Sequence, residues 1–287
     1  MSRKSVRALL AAAVLLITAA AFIYYSVTHP ESLRQLGRLP LTTIVILLLL
    51  YCAFLGSLTW IQRATLSLCN ITLGRRESLL LVMYSSIINF FGPLQSGPAF
   101  RAAYLKRKHN VSLKQYAVAT LFYYGFYAGF SAIFLMTYFI GIWALAAVVV
   151  AFAAVPVILR SPKLLPERFR GLKLQHIGTL AVGTLAQVSI LAVIFYIELG
   201  SLGRHIAAVP ALIYTGAANF ALFVSVTPGA IGFRESFVLF TEKLHHIPQV
   251  QVISASLIDR GVYVLFLGIL AVIVFGFHAK DYLNSKK

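Results

Sequence analysis

The sequence is poor in charge and poorer still in acid. Only 11% of its 287 residues are charged, and just 8 are Asp or Glu against 25 Lys and Arg. A soluble domain of this length needs far more charge to cover its surface, so an aqueous globular protein is excluded. The shortage of acids leaves few candidates for paired-carboxylate catalysis. No Ser/His/Asp set, metal-ligand spacing or phosphate-cradling glycine loop occurs, so the sequence predicts neither catalysis nor a cofactor. Cysteine is nearly absent too. Cys52 and Cys69 lie in or beside one apolar run, without a CxxC or a His partner, which gives no disulfide framework and no metal site.

What is present is apolar. Hydrophobic residues make up 60% of the chain and the mean hydropathy is +0.85. A hydrocarbon core of about 30 Å asks for roughly 20 apolar residues per helix. Six runs meet that demand: Val6–Tyr25, Leu41–Gln62, Leu113–Ile140, Gly141–Leu159, Gln175–Leu199 and Val250–Phe277. The first could also be a signal peptide, with Thr18-Ala19-Ala20-Ala21 as its cleavage site. The apolar run continues through Phe22, Ile23, Tyr24 and Tyr25, which favours an uncleaved span. Two further apolar stretches, Ser78–Phe100 and Ile206–His245, are interrupted by Pro and Gly.

The net charge of +17 does not point to nucleic acid, because the basic residues sit in short loops between apolar runs. Groups at Arg3–Arg7, Arg63–Arg76, Arg101–Lys114, Arg160–Lys173 and Lys280–Lys287 hold most of them. Placing all five groups in the cytoplasm, with both termini, satisfies the positive-inside rule of a plasma membrane. Ser78–Phe100 then has basic loops on both sides and must enter and leave from the cytoplasm. By parity, the stretch around Thr227-Pro228-Gly229 must enter and leave from outside. The expected fold is therefore an all-α polytopic membrane protein, with about six transmembrane helices and two re-entrant broken helices. Residues 1–140 and 141–287 repeat one layout in opposite orientation, as a single membrane domain. In inverted repeats of this kind a substrate site lies near the midplane, between broken helices.

The candidate site residues follow from the breaks. In the first, Asn89-Phe90-Phe91-Gly92-Pro93 leads to Gly97-Pro98-Ala99-Phe100-Arg101. Proline ends one half-helix and starts the next, whose free N–H groups suit a phosphate. Asn89 is placed to cap the freed backbone. The second runs Thr227-Pro228-Gly229-Ala230-Ile231-Gly232-Phe233-Arg234-Glu235. Thr227-Pro228-Gly229 stops a helix, and Gly229 and Gly232 permit close backbone approach. Ionisable residues at membrane depth are costly and need partners or a wet cavity. Asp259 and Arg260 in the last span are thus expected to meet Arg234 and Glu235, or a lipid phosphate. Gln187 reads as an interhelical hydrogen bond, and Tyr123, Tyr124, Phe126 and Tyr127 as packing or lipid contacts. Glu198, His176 and His245-His246 carry little weight. Lys163–Lys173 mixes basic and apolar residues, as a surface-lying amphipathic stretch does.

At these two motifs the chain resembles the transmembrane region of the lysylphosphatidylglycerol synthase/flippase family. Asn89-Phe90-Phe91-Gly92-Pro93, Phe100-Arg101-Ala102-Ala103-Tyr104-Leu105-Lys106 and above all Thr227–Glu235 carry the likeness, which extends over nearly the whole chain. The resemblance implies a membrane domain that binds or translocates an anionic phospholipid or a polyprenyl-linked lipid. In the full-length synthases a soluble aminoacyl-transferase domain follows. Here the sequence stops shortly after Phe277, and that half is expected to be absent. Many members carry an acid just before the first motif's arginine, where this chain has Gly97-Pro98-Ala99-Phe100. The reading is a lipid flippase or transporter, self-associating or working beside an envelope-biosynthesis enzyme. The alternatives are a scaffold and an enzyme acting on a lipid-linked sugar in envelope or glycan assembly.

Overall fold

A computed structural model describes residues 37, 39–92, 96–141, 143, 146–150, 153, 174–202, 206–224, 230 and 233–284. Among them there is helix and no strand. The helices are α1 (Leu41–Leu68), α2 (Arg75–Phe91), α3 (Ser96–His109), α4 (Leu113–Ile140), α5 (Leu174–Gly200), α6 (Ala208–Val224), α7 (Phe233–Phe240), α8 (Glu242–His245) and α9 (Gln249–Asn284). Four of these, α1, α4, α5 and α9, are long and apolar enough to cross a membrane. They coincide with four of the six expected spans. Val6–Tyr25 lies outside the described residues, as does most of Gly141–Leu159 and all of Lys163–Lys173.

α1 continues six residues past Gln62, so Arg63 stands within a helix and not in the loop that follows it. Hydropathy marks where lipid ends, whereas a helix continues while it still has protein to pack on. Ala64, Thr65 and Leu66 are all buried. Several hydroxyls inside the spans are satisfied locally. The hydroxyls of Thr59, Thr65, Thr120 and Thr184 each donate to the carbonyl one turn back, which removes the cost of an unpaired group in hydrocarbon.

α1 packs along α5, α4 against α5 and α6, and α9 closes against α1, α2, α5 and α7. The largest core cluster joins Leu47, Tyr51 and Leu55 of α1 to Phe195 of α5, Tyr214 of α6, and Ile258, Phe266 and Leu267 of α9. The outer faces are apolar as well. Val272 is 74% and Phe275 77% exposed, and Leu49, Leu121 and Phe139 are likewise uncovered. Apolar surface on this scale calls for a lipid surround.

The two interrupted stretches fold as antiparallel helix pairs. α2 stops at Gly92 and α3 begins at Ser96, while α6 stops at Val224 and α7 begins at Phe233. In the first pair, Glu77 at the start of α2 touches Lys108 and His109 at the end of α3, so both open ends lie together. In the second, α7 and α8 return along α6, and His245 packs its ring 6.1 Å from that of Tyr214.

Candidate functional site

The first pair is tied together at its corner by its own residues. Asn89 Oδ1 accepts the Gly97 backbone N–H at 3.2 Å, and Ser96 Oγ donates to the Ile88 carbonyl at 2.9 Å. These bonds satisfy one donor at the start of α3 and one acceptor at the end of α2. A Cβ on Gly97 would lie 2.6 Å from the Ser85 carbonyl oxygen, so the close approach of α2 and α3 requires glycine there. One turn into α3, Arg101 points its Nη1 at Gln62 Oε1, 3.0 Å away on α1, and Gln62 also accepts from Tyr116. Arg101 Nε and Gln62 Nε2 are buried donors with no partner. Among the described residues Arg101 has no carboxylate partner.

At the open end of that pair, Glu77 collects Lys108 and His109 at 2.8 Å each and the Tyr104 hydroxyl at 2.6 Å. Partial burial pushes the Glu77 carboxyl up, but the hydrogen bonds from Lys108, Tyr104 and His109 outweigh it and hold the group at about 2. The four basic residues of the last turn of α3 also face the negative end of its dipole.

The second pair carries adjacent charges, Arg234 and Glu235, in the first turn of α7. Neighbouring helical residues diverge by about 100°, so each finds its own partner on α9. Arg234 Nη1 lies 2.6 Å from Asp259 Oδ2, and Arg260 Nη2 lies 2.7 Å from Glu235 Oε1. Ser256, one turn earlier on the same face of α9, bridges the two pairs. It donates to Glu235 and receives Arg234 Nη2 at 3.3 Å. Tyr51 reaches across from α1 to donate to Asp259 Oδ1 at 2.5 Å, and the Arg234 guanidinium lies 5.3 Å from the Phe195 ring centroid. A charge removed from water is tolerable only when paired and hydrogen-bonded, and this network meets that condition.

Between the helix pairs lies a cavity of about 250 Å³. Its wall is contributed by α1, α2, α3, α4, α5, α6, α7 and α9, together with Ala230. Asn89, Arg101, Arg234, Asp259 and Arg260 all line it. Tyr123, Tyr124 and Tyr127 of α4, with Phe223 of α6, form an aromatic side of the same space. Gln187 faces the same space beside Tyr123, and its Oε1 is buried without a partner. Such a space, mostly apolar with a few convergent polar groups, is the form of a binding site. Among the described residues no group of three His, Cys, Asp or Glu is placed to hold a metal ion.

Of the residues singled out in the sequence, Asn89, Arg101, Arg234, Asp259 and Arg260 meet at one cavity, and Glu235 stands directly behind it. The expected pairing of Asp259 with Arg234 and of Arg260 with Glu235 is what the geometry shows. Pro93, Thr227, Pro228, Gly229 and Gly232 lie outside the described residues. Sequence reasoning gave no role to Tyr51, Gln62, Ser256 and Tyr263, marked Asn219 only as the counterpart of Asn89 before the second break, and read the α4 tyrosines as packing or lipid contacts and Gln187 as an interhelical hydrogen bond. Asn219 accepts from Tyr127 at 2.8 Å and donates to Ser131 at 3.2 Å. The usable signal was the recurrence of Asn-Phe before both breaks. Glu198, discounted as lying near a helix end, is 1% exposed.

The sequence model of the family described as lysylphosphatidylglycerol synthase TM region matches residues 6–271. No curated protein matches the chain.

Proposed function

The chain belongs to the lysylphosphatidylglycerol synthase transmembrane-region family of multi-pass membrane proteins with lipid-related function, and from that premise we propose that it binds the anionic headgroup of a lipid in the central cavity and passes that lipid across the membrane. The observation that carries the reading is the charge balance of the cavity. Three guanidiniums line it. Asp259 holds Arg234 and Glu235 holds Arg260, while among the described residues Arg101 meets only the neutral amide of Gln62. An uncompensated charge at membrane depth is expensive. A phosphate seated against Arg101 removes that cost and accepts the open Nε–H and the Gln62 amide N–H. The aromatic side and the open Gln187 carbonyl suit the remainder of a hydroxyl-bearing headgroup. Phosphatidylglycerol and a polyprenyl phosphate both fit this chemistry.

The two helix pairs support a route as well as a site. Arg75, Arg76, Lys106, Arg107 and Lys108 cluster at the open end of α2–α3, which the positive-inside rule assigns to the cytoplasm. On that reading α2–α3 enters and leaves from the cytoplasm and α6–α7 from the other face, in an inverted repeat within the plasma membrane. The cavity between them would open to each side in turn. No nucleotide-binding motif occurs, so the movement would be downhill or ion-coupled.

The test is fluorescent-lipid translocation in proteoliposomes, with phosphatidylglycerol and a polyprenyl phosphate as separate probes. Wild-type protein should exceed empty vesicles, and Arg101→Ala should lose most of the excess. Wild-type rates equal to those of empty vesicles for both probes would overturn the proposal.

A further inference from the structure

Glu198 has no role in the site described above, and its surroundings are unusual for an acid. It lies on α5, 1% exposed, and its Oε1 has no hydrogen-bond partner. Among the described residues no basic group forms a salt bridge with it. One turn before it on α5, the Phe195 ring lies 5.3 Å from the Arg234 guanidinium, which is paired with Asp259, so these are the charged groups beside Glu198. The groups that face this region are Tyr51 from α1, Tyr214 from α6, Arg234 and Glu235 from α7, and Asp259 and Arg260 from α9. Beyond Tyr214 stands His245 of α8. The Ile247 backbone N–H occupies its Nδ1, and its Nε2 donates to the Val238 carbonyl, which fixes it as the neutral ring.

The charge count then decides the state of Glu198. Among the described residues, Arg234 and Arg260 are matched by Asp259 and Glu235, and Arg101 bonds Gln62 of α1 and is not among the charges beside Glu198, so an ionised Glu198 would leave this cluster with one negative charge unmatched. Such a charge is removed by binding a proton. Arg234 is also the group best placed to change partner. Its Nε is buried and unpartnered, while Asp259 has Tyr51 as a second donor.

We propose that Glu198 is a proton-binding site, and that Glu198 and Asp259 share one proton while competing for Arg234. In the arrangement of the structure the proton resides on Glu198 and Arg234 pairs with Asp259. In the alternative arrangement the proton has passed to Asp259 and the Arg234 guanidinium, still protonated, pairs with the Glu198 carboxylate. One O–H bond breaks and one forms, and the cluster stays neutral throughout. Because Asp259 and Arg234 line the cavity and Glu198 does not, the exchange carries a proton between the protein interior and the lipid site. The proton site stands on the burial of Glu198, its open Oε1 and the charges of the cluster around it. Its use in ion-coupled movement rests on the lipid-transport reading given above.

Infrared spectroscopy of the full chain in nanodiscs tests the site directly. With glutamate carboxyls labelled by carbon-13, wild-type protein at neutral pH should show one isotope-shifted protonated-carboxyl stretch per chain, and Glu198→Gln should lack it. No such band at neutral pH, or the same band in Glu198→Gln, would overturn the proposal. Glu198→Asp keeps a carboxyl but removes it from the glutamate label, so it serves as the second variant should Glu198→Gln not fold, and the isotope-shifted band should be lost there too. A pH gradient across proteoliposomes then tests the coupling. The gradient should shift the distribution of phosphatidylglycerol in wild type and not in Glu198→Gln. A band without translocation would sink the transport reading and leave the proton site intact. Translocation without a band would do the reverse.

Discussion

The two interrupted helix pairs share a plan and spend it differently. Each has an asparagine before the break, a glycine at a close helix contact and an arginine after the break. In α2–α3 the asparagine and the glycine act inside the pair, with Asn89 capping α3 and Gly97 touching Ser85. In α6–α7 they face outward. Asn219 bonds Tyr127 and Ser131 of α4, and a Cβ on Gly216 would lie 2.6 Å from the Leu135 nitrogen of that helix. The arginines divide in the same way, Arg234 held by a carboxylate of the bundle and Arg101 by an amide alone. One pair is thus self-contained with an open charge, and the other is anchored into its surroundings by charge and close packing. The difference suggests that α2–α3 meets the ligand and α6–α7 holds the frame.

The sharpest way to break this contrast is to remove one anchor. Asp259→Ala leaves Arg234 buried without its carboxylate, which costs about 3–5 kcal/mol when a buried pair is halved. Thermal unfolding in detergent should show it as less stable than Arg101→Ala, Gly97→Ala or Gly216→Ala. Replacing both partners, Arg234→Met with Asp259→Leu, should recover much of that loss, because neither charge of the pair is then left without its partner. Arg101→Ala should do the opposite. Its unfolding should stay close to wild type while affinity for an anionic lipid falls about 10–100-fold, the value of one charge-assisted hydrogen bond. Equal destabilisation by Asp259→Ala and Arg101→Ala would erase the distinction between the pairs.

These expectations also mark what could be read from the sequence. The breaks were legible because Pro93, Pro228 and their neighbouring glycines have a fixed local meaning in any apolar run. The charges were legible because an arginine or aspartate within such a run must find a partner, and only a few partners existed. The roles of Tyr51, Gln62 and Asn219 were not, since a tyrosine or an amide in a span is ordinary until the helix face it occupies is known. Of the α4 tyrosines, read as packing or lipid contacts, Tyr123 and Tyr127 do pack in the core, and with Tyr124 they line the cavity as well. Their spacing fits packing as well as a cavity wall, and only the approach of Phe223 from α6 shows the second. Helix ends were the other gap, for α1 is held past its apolar run by protein contacts that hydropathy does not register.

The glycines give a smaller effect of the same kind. Gly97→Ala forces α2 and α3 apart at their corner, and Gly216→Ala forces α6 from α4. Each should cost about 1–3 kcal/mol, as overpacking does. The consequences should differ. Gly97→Ala shifts Asn89 and the start of α3, and so should weaken lipid binding along with stability. Gly216→Ala should lower stability with affinity nearly unchanged. Lipid titrations at a temperature where both variants are folded separate the cases, and a matched loss of affinity would mean that the pairs share the ligand equally.

The smallest expected effect lies at the open end of α2–α3, away from the cavity. Hydrogen bonds from Lys108, Tyr104 and His109 hold the Glu77 carboxyl at about 2, below its ordinary 4.5. A depressed carboxyl contributes stability that is fully present above the ordinary value and is lost as pH falls through the depressed one. Hydrogen exchange of the α2 and α3 backbone should therefore be steady from neutral pH down to about 5, then rise between 4.5 and 2 beyond the intrinsic change in exchange rate. Glu77→Gln should remove that rise and start from weaker protection at neutral pH. Lys108 is 57% exposed, so salt should screen part of the contribution. The α6–α7 pair has no such exposed acid–base clasp at its open end among the described residues, and its protection should not follow this pH course. A parallel loss in both pairs over the same window would place the pH dependence in the bundle as a whole and not in the clasp that closes the first pair.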